Sequence, residues 1–302
     1  MDVLITGVNG FIGRNISALL INSGYRIIGL DVDDSSQIEG IDQYYSESIL
    51  NKTILDNLAC KVDIIIHLAA ITGHSEIIEK KYETLEINLN GTRNVLNAFK
   101  ASKRAKKFIY ASTGKVYGEI DELPVNEESR TKPLNILGKS KLITEQLIDF
   151  YSDDEKSYVI FRIFQAYGPG QLTNFLIPTI LSQLRLDKRA TQAITLGDIN
   201  AKRDYIFVED IAAAFKCVIS NDIPNGIQIY NLSSGNALSA KNIIAVIERL
   251  FDLKIEIDIN EELFRSDEES VEYGSNLKAR HVLGWQPKFS IEEGLKTIIK
   301  NS

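Results

Sequence analysis

Along the first half of the chain, short aliphatic and β-branched runs alternate with longer stretches of helical period. Strands are predicted at 3–6, 26–30, 63–67, 107–111 and 157–162, and helices at 11–23, 51–59, 78–101 and 138–152. Parallel strands joined by helices need right-handed crossovers, so this rhythm predicts an α/β fold with a doubly wound parallel sheet. Ile64-Ile65-Ile66 is apolar at every position, as expected of a strand covered on both faces. After residue 166 the rhythm changes at the breaker Gly168-Pro169-Gly170. Beyond it the pattern predicts helices at 175–186, 209–220, 239–251, 276–283 and 290–300, with strands at 193–197 and 204–208. The acidic stretch 261–275 has no period and is predicted to be a surface loop. A smaller C-terminal unit is therefore expected beside the large one, with a cleft between them.

Composition narrows the classes. Hydrophobic residues make up 44% of 302 positions and charged residues 25%, which excludes a disordered chain or a fibre. Lys and Arg number 34 against 41 Asp and Glu, a net charge of −7. Such a chain carries no overall footprint for nucleic acid or an anionic membrane. No run reaches the roughly 18–20 apolar residues of a membrane span. Asp2 and a strand follow Met1 directly, so no basic leader is read and a cytoplasmic location is expected. Two cysteines, Cys60 and Cys217, support neither a disulfide framework nor a metal knuckle. They are expected to be buried thiols, and no metal is expected.

Thr6-Gly7-Val8-Asn9-Gly10-Phe11-Ile12-Gly13 leaves the first strand and opens the first helix. Glycine at Gly7, Gly10 and Gly13 permits a tight turn, close backbone approach to a pyrophosphate, and helix packing on strand. The helix N-terminus then offers its N–H groups to phosphates. Asp31 lies 18 residues beyond Gly13, at the end of the second predicted strand. A carboxylate there accepts ribose hydroxyls and repels a 2′-phosphate, so the pattern predicts NAD rather than NADP. By themselves, Leu68, Ala69 and Ala70 read as strand-end packing and His67 as a satisfied core histidine.

These residues stand in a longer series: HLAA at 67–70, NLNGT at 88–92, STGKVYG at 112–118, GKSK at 138–141, FRIFQAYGPG at 161–170, RDYIFVED at 203–210 and LGWQP at 283–287. With TGVNGFIG at 6–13, the chain resembles, nearly end to end, the extended short-chain dehydrogenase/reductase superfamily in its nucleotide-sugar epimerase, dehydratase and reductase branch. The resemblance implies a Rossmann-like NAD-binding domain over 1–166, with 204–232 returning to it. It assigns 167–203 and 233–302 to a smaller α/β substrate-binding domain. It places Phe11 and Ile12 over the pyrophosphate. Ser48 and Ile49 fall beside the adenine, where the family usually has Asp-Ile. Leu68, Ala69 and Ala70 would run under the cofactor, Asn88 would hold that loop, and Phe164 would flank the nicotinamide. The segments 78–101 and 138–152 would pair two copies into a homodimer.

Family chemistry removes a hydride from a sugar carbon and a proton from its hydroxyl. The proton goes to a Tyr whose pKa is lowered by a Lys four residues on, and a Ser or Thr orients the hydroxyl. Thr113 matches the hydroxyl position and Lys141 the lysine, but position 137, four residues before Lys141, is Leu. Three explanations stand: another group exchanges the proton (Thr113, Lys115, a nearby Tyr or a water), the chain binds without turnover, or it is a variant of an active parent. The family's 4,6-dehydratases carry Asp-Glu after the Thr. Here Gly114 and Lys115 occupy those positions, which disfavours elimination and leaves epimerisation or ketone reduction. For the nucleotide-diphosphate sugar, the resemblance implies contacts from Lys115, Tyr117, Gln165, Arg203 and Arg265, the last with its local spacing one residue short. Two forked guanidiniums suit a pyrophosphate.

Overall fold

The computed structural model describes residues 1–186, 191–264 and 269–300. Its strands are β1 (Asp2–Thr6), β2 (Arg26–Asp31), β3 (Gln43–Ser46), β4 (Ile64–His67), β5 (Lys107–Thr113), β6 (Ser157–Ile163), β7 (Gln165–Tyr167), β8 (Thr191–Leu196), β9 (Lys202–Phe207), β10 (Gly226–Leu232), β11 (Ala237–Ser239), β12 (Lys254–Ile259) and β13 (Val271–Glu272). Its helices are α1 (Phe11–Ile21), α2 (Lys52–Ala59), α3 (His74–Glu79), α4 (Lys81–Leu85), α5 (Thr92–Ala101), α6 (Ile136–Tyr151), α7 (Leu176–Ser182), α8 (Val208–Ser220), α9 (Ala240–Phe251), α10 (Leu277–Leu283) and α11 (Ile291–Lys300).

Seven strands form one parallel sheet in the order β10-β6-β5-β4-β1-β2-β3. Alternation sends successive side chains to opposite faces. Ile64 and Ile66 therefore join Val3, Ile5, Val159 and Phe161 under α1 and α8. Ile65 goes the other way, with Leu4, Ile28, Phe108 and Tyr158, to pack on α2, α5 and α6. The chain leaves β1 toward β2 and β3 on one side and resumes at β4 on the other. That reversal opens a crevice at the carboxyl ends of β1 and β4, where such sheets take their ligands.

The small unit pairs β9 with β7, β11 and β13, and β8 with β12, over a separate apolar cluster that includes Ile180, Ile243, Ile247 and Leu295. Several sequence expectations need correction here. Residues 202–207 pair in the small sheet, although Ile206 among them already packs in the large unit's core. Ala279, Leu283 and Trp285 leave the C-terminal stretch to join the large unit's core. Trp285 Nε1 donates to Asp210 O at 2.8 Å, and the Asp210 carboxylate accepts from the N–H groups of Lys288 and Phe289. The LGWQP segment thus clamps the start of α8. The helix expected over 78–101 is broken into α3, α4, a π-helical turn at Glu86–Gly91, and α5. Part of the expected loop 261–275 is β13, whose Glu272 is buried. Cys60 is exposed and Cys217 half-buried, against the expectation of two buried thiols. Among the described residues, no helix is long and apolar enough to cross a membrane.

Candidate active site

At one end of the crevice the walls are backbone. Gly7 has φ +71°, and a Cβ there would lie 2.6 Å from Ala69 N. A Cβ on Gly13 would lie 2.3 Å from Gly7 O. The loops after β1 and β4 therefore touch with no room for side chains. α1 starts behind Gly10 without a side-chain cap, so its first N–H groups remain for an anion. Asp31 ends β2 with Oδ2 accepting from Asn9 N at 2.9 Å and Oδ1 from Val32 N at 2.8 Å. The buried Asn9 side chain bonds Asp33 Oδ2, Ser35 O and Gln37 N, which fixes the loop after β2 beside the glycines. Phe11, Ile12, Leu68, Ala69 and Ala70 are half-buried along this wall.

Deeper in, His67 is fully buried. Thr92 Oγ1 donates to Asn88 O at 2.6 Å, so it must accept from His67 Nε2–H at 2.9 Å. Nδ1 is then the acceptor for the Thr6 hydroxyl at 2.7 Å. Desolvation, reinforced by Lys141, holds this imidazole neutral, with its pKa pushed down to about 3. It is a core histidine. Asn88 accepts from Ile71 N at 2.8 Å and donates to Ile71 O at 3.0 Å, fastening the loop after β4.

The centre of the crevice lies where β5 ends against α6. Asn135 caps α6 through Gly138 N at 2.9 Å. A Cβ on Gly138 would come within 2.4 Å of Lys115 O, so the first turn of α6 lies directly on the turn after Thr113. Lys141 is buried, and its ammonium donates to Ala111 O at 2.8 Å and sits 4.6 Å over the Tyr110 ring. Burial draws its pKa down to about 8, partly opposed by Glu145. Leu137, one turn earlier on the same face, is half-buried. Thr113 Oγ1 accepts from Lys115 N at 3.2 Å, which leaves its proton to give. Below them Glu145 takes a forked pair from Arg162 and a hydrogen bond from Ser112.

At the other end, Lys115 Nζ reaches Glu272 Oε2 at 2.8 Å, and Arg203 Nε stands 3.9 Å from the same oxygen. Glu272 is 6% exposed, and its Oε1 lies 3.2 Å from where a Gly114 Cβ would be. Gln165 opens β7, half-buried, in register with Tyr205. Arg265 lies outside the described residues.

The model of the GDP-mannose 4,6 dehydratase family matches residues 4–298. The chain belongs to the NAD-dependent nucleotide-sugar epimerase and dehydratase family. It is 29% identical to the GDP-6-deoxy-D-mannose reductase of Pseudomonas aeruginosa, over 99% of this chain and 96% of that one. It is 28% identical to the UDP-glucose 4-epimerase of Halalkalibacterium halodurans, over 100% of this chain and 94% of that one. Its fold matches MoeE5 in complex with UDP-glucuronic acid and NAD, with a TM-score of 0.88 at 26% identity, covering 99% and 98% of the two chains.

Within this epimerase and dehydratase family member, packing changes one assignment from sequence and narrows two. Tyr117 is 0% exposed, and its hydroxyl donates to Asn231 Oδ1 at 2.6 Å and receives Arg162 at 3.2 Å, so it is structural and offers a sugar nothing. The Ile49 side chain is buried against Gly91, leaving its main chain toward an adenine, while the half-buried Ser48 accepts from Leu50 N through its hydroxyl oxygen and keeps its proton to donate. Phe164 stacks on Tyr117 and fills the space over Gly114 and Gly274, so little of its ring is left for a nicotinamide. Sequence reasoning missed Asn9 and Glu272. A polar residue between two loop glycines was the available signal for the first. The second carried none, because β13 has only two residues.

Proposed function

We propose that the chain is an NAD-linked epimerase or 4-keto reductase of a nucleotide-linked sugar. The observation that carries the reading is the buried Lys141 ammonium. It uses one proton on Ala111 O, at the carboxyl end of the sheet, between the glycine crevice and Thr113. The polar groups fit a dinucleotide: an uncapped helix start donating to its phosphates, Asp31 accepting from a ribose, and Lys141 donating to the second ribose. Bound there, a nicotinamide would supply hydride acceptance and return. Thr113 would donate to the reacting sugar oxygen, and Arg203 would grip the diphosphate. Gly114 and Lys115 supply no acid–base pair of the dehydratase type, which argues against elimination.

Leu137 supports a second reading, in which the pockets bind but do not turn over. Leucine has no proton to exchange, and the phenols of Tyr110 and Tyr117 are buried with their pKa values pushed up by desolvation. Incubation of the wild type and Leu137→Tyr with NAD or NADH and a panel of UDP-, dTDP- and GDP-sugars decides between them. The enzyme reading expects an epimer, a reduced product or a keto sugar from the wild type. A restored general base is worth roughly 10²–10⁴-fold, so turnover seen only in the Tyr variant favours binding alone. No product from either protein defeats the enzyme reading.

We also propose a homodimer through the segments 78–101 and 138–152. Tyr82 (87%), Phe150 (84%), Ile78 (59%) and Ile143 (47%) are exposed apolar side chains on these segments, and support it. A monomeric mass by light scattering would contradict it.

A further inference from the structure

One turn before Lys141 on α6 stands the hydrocarbon of Leu137, and one turn after it the carboxylate of Glu145. Residues four apart on a helix are neighbours on one face, so α6 itself sets an anion beside the buried ammonium. Glu145 is 4% exposed and cannot turn away to water. Arg162 of β6 holds it from one side, with Nε at 3.2 Å and Nη2 at 2.8 Å from its Oε2, and Ser112 of β5 donates to its Oε1. Ser112 lies between Ala111, whose carbonyl takes a proton of Lys141, and Thr113. One carboxylate therefore fixes the register of α6 against the end of β5 and places its charge next to Lys141.

Among the described residues, the other titratable groups around Lys141 do not replace that charge. His67 of β4 is neutral, and desolvation pushes the Tyr110 phenol of β5 up, away from ionisation. Lys115, on the turn under the start of α6, takes its ammonium to Glu272. Glu76 and Glu79 of α3, Glu86 of the π-helical turn and Arg93 of α5 are exposed to solvent. Burial pulls Lys141 toward its neutral form, and the attraction of Glu145 opposes it.

We propose that Glu145 is a positioning residue for the cofactor: fixed by Arg162 and Ser112, it keeps Lys141 charged so that the ammonium can hold a nicotinamide ribose. The inference rests on the NAD reading of the crevice. Calorimetric titration of the full chain with NAD across neutral and alkaline pH tests it. Thermal melts of each protein against the same protein carrying Lys141→Met accompany it. Wild-type NAD affinity should fall about tenfold as pH rises past about 8, when a charge-assisted hydrogen bond becomes a neutral one. Arg162→Met leaves the carboxylate without its cation, so this inflection should rise. Arg162→Met/Glu145→Met removes both charges and strands neither, so the inflection should fall by about one pH unit. The melts follow Lys141 without NAD: the gap to the Lys141→Met form should begin to close at higher pH in the single variant and at lower pH in the double. A merely structural ion pair would change affinity and stability alike at every pH. A wild-type affinity that ignores pH, or inflections that coincide in the three proteins, overturns the proposal alone. Failure of all three to bind NAD at any pH sinks the NAD reading and this proposal with it.

Discussion

The two ends of the crevice are built from different material. At the cofactor end the shape is backbone: a Cβ on Gly13 would lie 2.3 Å from Gly7 O and one on Gly7 2.6 Å from Ala69 N, all within the loops after two neighbouring strands. At the sugar end the shape is charge, brought together from Lys115, Arg203 and Glu272 on three separate segments. A backbone cradle tolerates little substitution, and its glycines are spelled out in local sequence even though Gly7 meets Ala69 from the loop after β4. A charge cluster can be re-tuned one residue at a time, yet it exists only if the two units meet in the right register.

The largest effect should come from the layer beneath the sugar end. Arg162 holds Glu145 with a forked pair, and both side chains are almost fully buried. Arg162→Met strands a buried carboxylate that, among the described residues, keeps a hydrogen bond from Ser112 and the attraction of the nearby Lys141 ammonium. Breaking such a pair costs about 3–5 kcal/mol. The denaturant midpoint should fall accordingly, and Arg162→Met/Glu145→Met should recover most of the loss. A single variant as stable as the wild type would show that the sugar end does not depend on buried charge.

The same contrast explains how much was legible in the sequence. The sheet could be read because Ile64-Ile65-Ile66 and its neighbours announce buried strands. The glycine loop could be read because its constraint lies within eight consecutive residues. The break between α3 and α5 could not, because nothing in the period of 78–101 marks the π-helical turn that carries Asn88 into the loop after β4. Glu272 could not, because a two-residue strand has no period, and it is ordered by pairing with Lys202 and Arg203, about 70 residues away. Tyr117 misled for the opposite reason: its place in STGKVYG says it is near the crevice, but only packing shows that its hydroxyl faces Asn231.

Lys141 sits between the two ends, and its burial carries a cost. Its pKa of about 8 in the fold against 10.5 in the unfolded chain means that the unfolded chain binds the extra proton between those values. The penalty is therefore full below pH 8 and is relieved as pH rises toward 10.5. Lys141→Met should be more stable than the wild type at pH 7 by up to about 3 kcal/mol, less whatever the hydrogen bond to Ala111 contributes. Thermal melts from pH 7 to 10 should show the wild type closing that gap. The variant should lose affinity for NAD throughout. A gap that widens with pH would mean that the ammonium is not desolvated as its surroundings imply.

The smallest effect should come at the far end of the cofactor wall. Asp31→Asn keeps the side-chain shape but removes a charged acceptor, and a hydrogen bond to a charged group is worth about 1.5–3 kcal/mol. NAD affinity should weaken roughly tenfold or somewhat more. NADP should still not gain, because Asp33 stays in place through its bond to the Asn9 side chain and Asp34 follows it. This is where the contrast between the two ends can be sharpened. If one charge set nucleotide choice, Asp31→Asn would be enough to admit the 2′-phosphate. If the wall is a backbone shape with several carboxylates fixed along it, admission should require Asp33 to change as well. Titrating NAD and NADP against Asp31→Asn and Asp31→Asn/Asp33→Asn separates the two. A single variant that binds NADP as tightly as NAD would show that the cofactor end is as easily re-tuned as the sugar end.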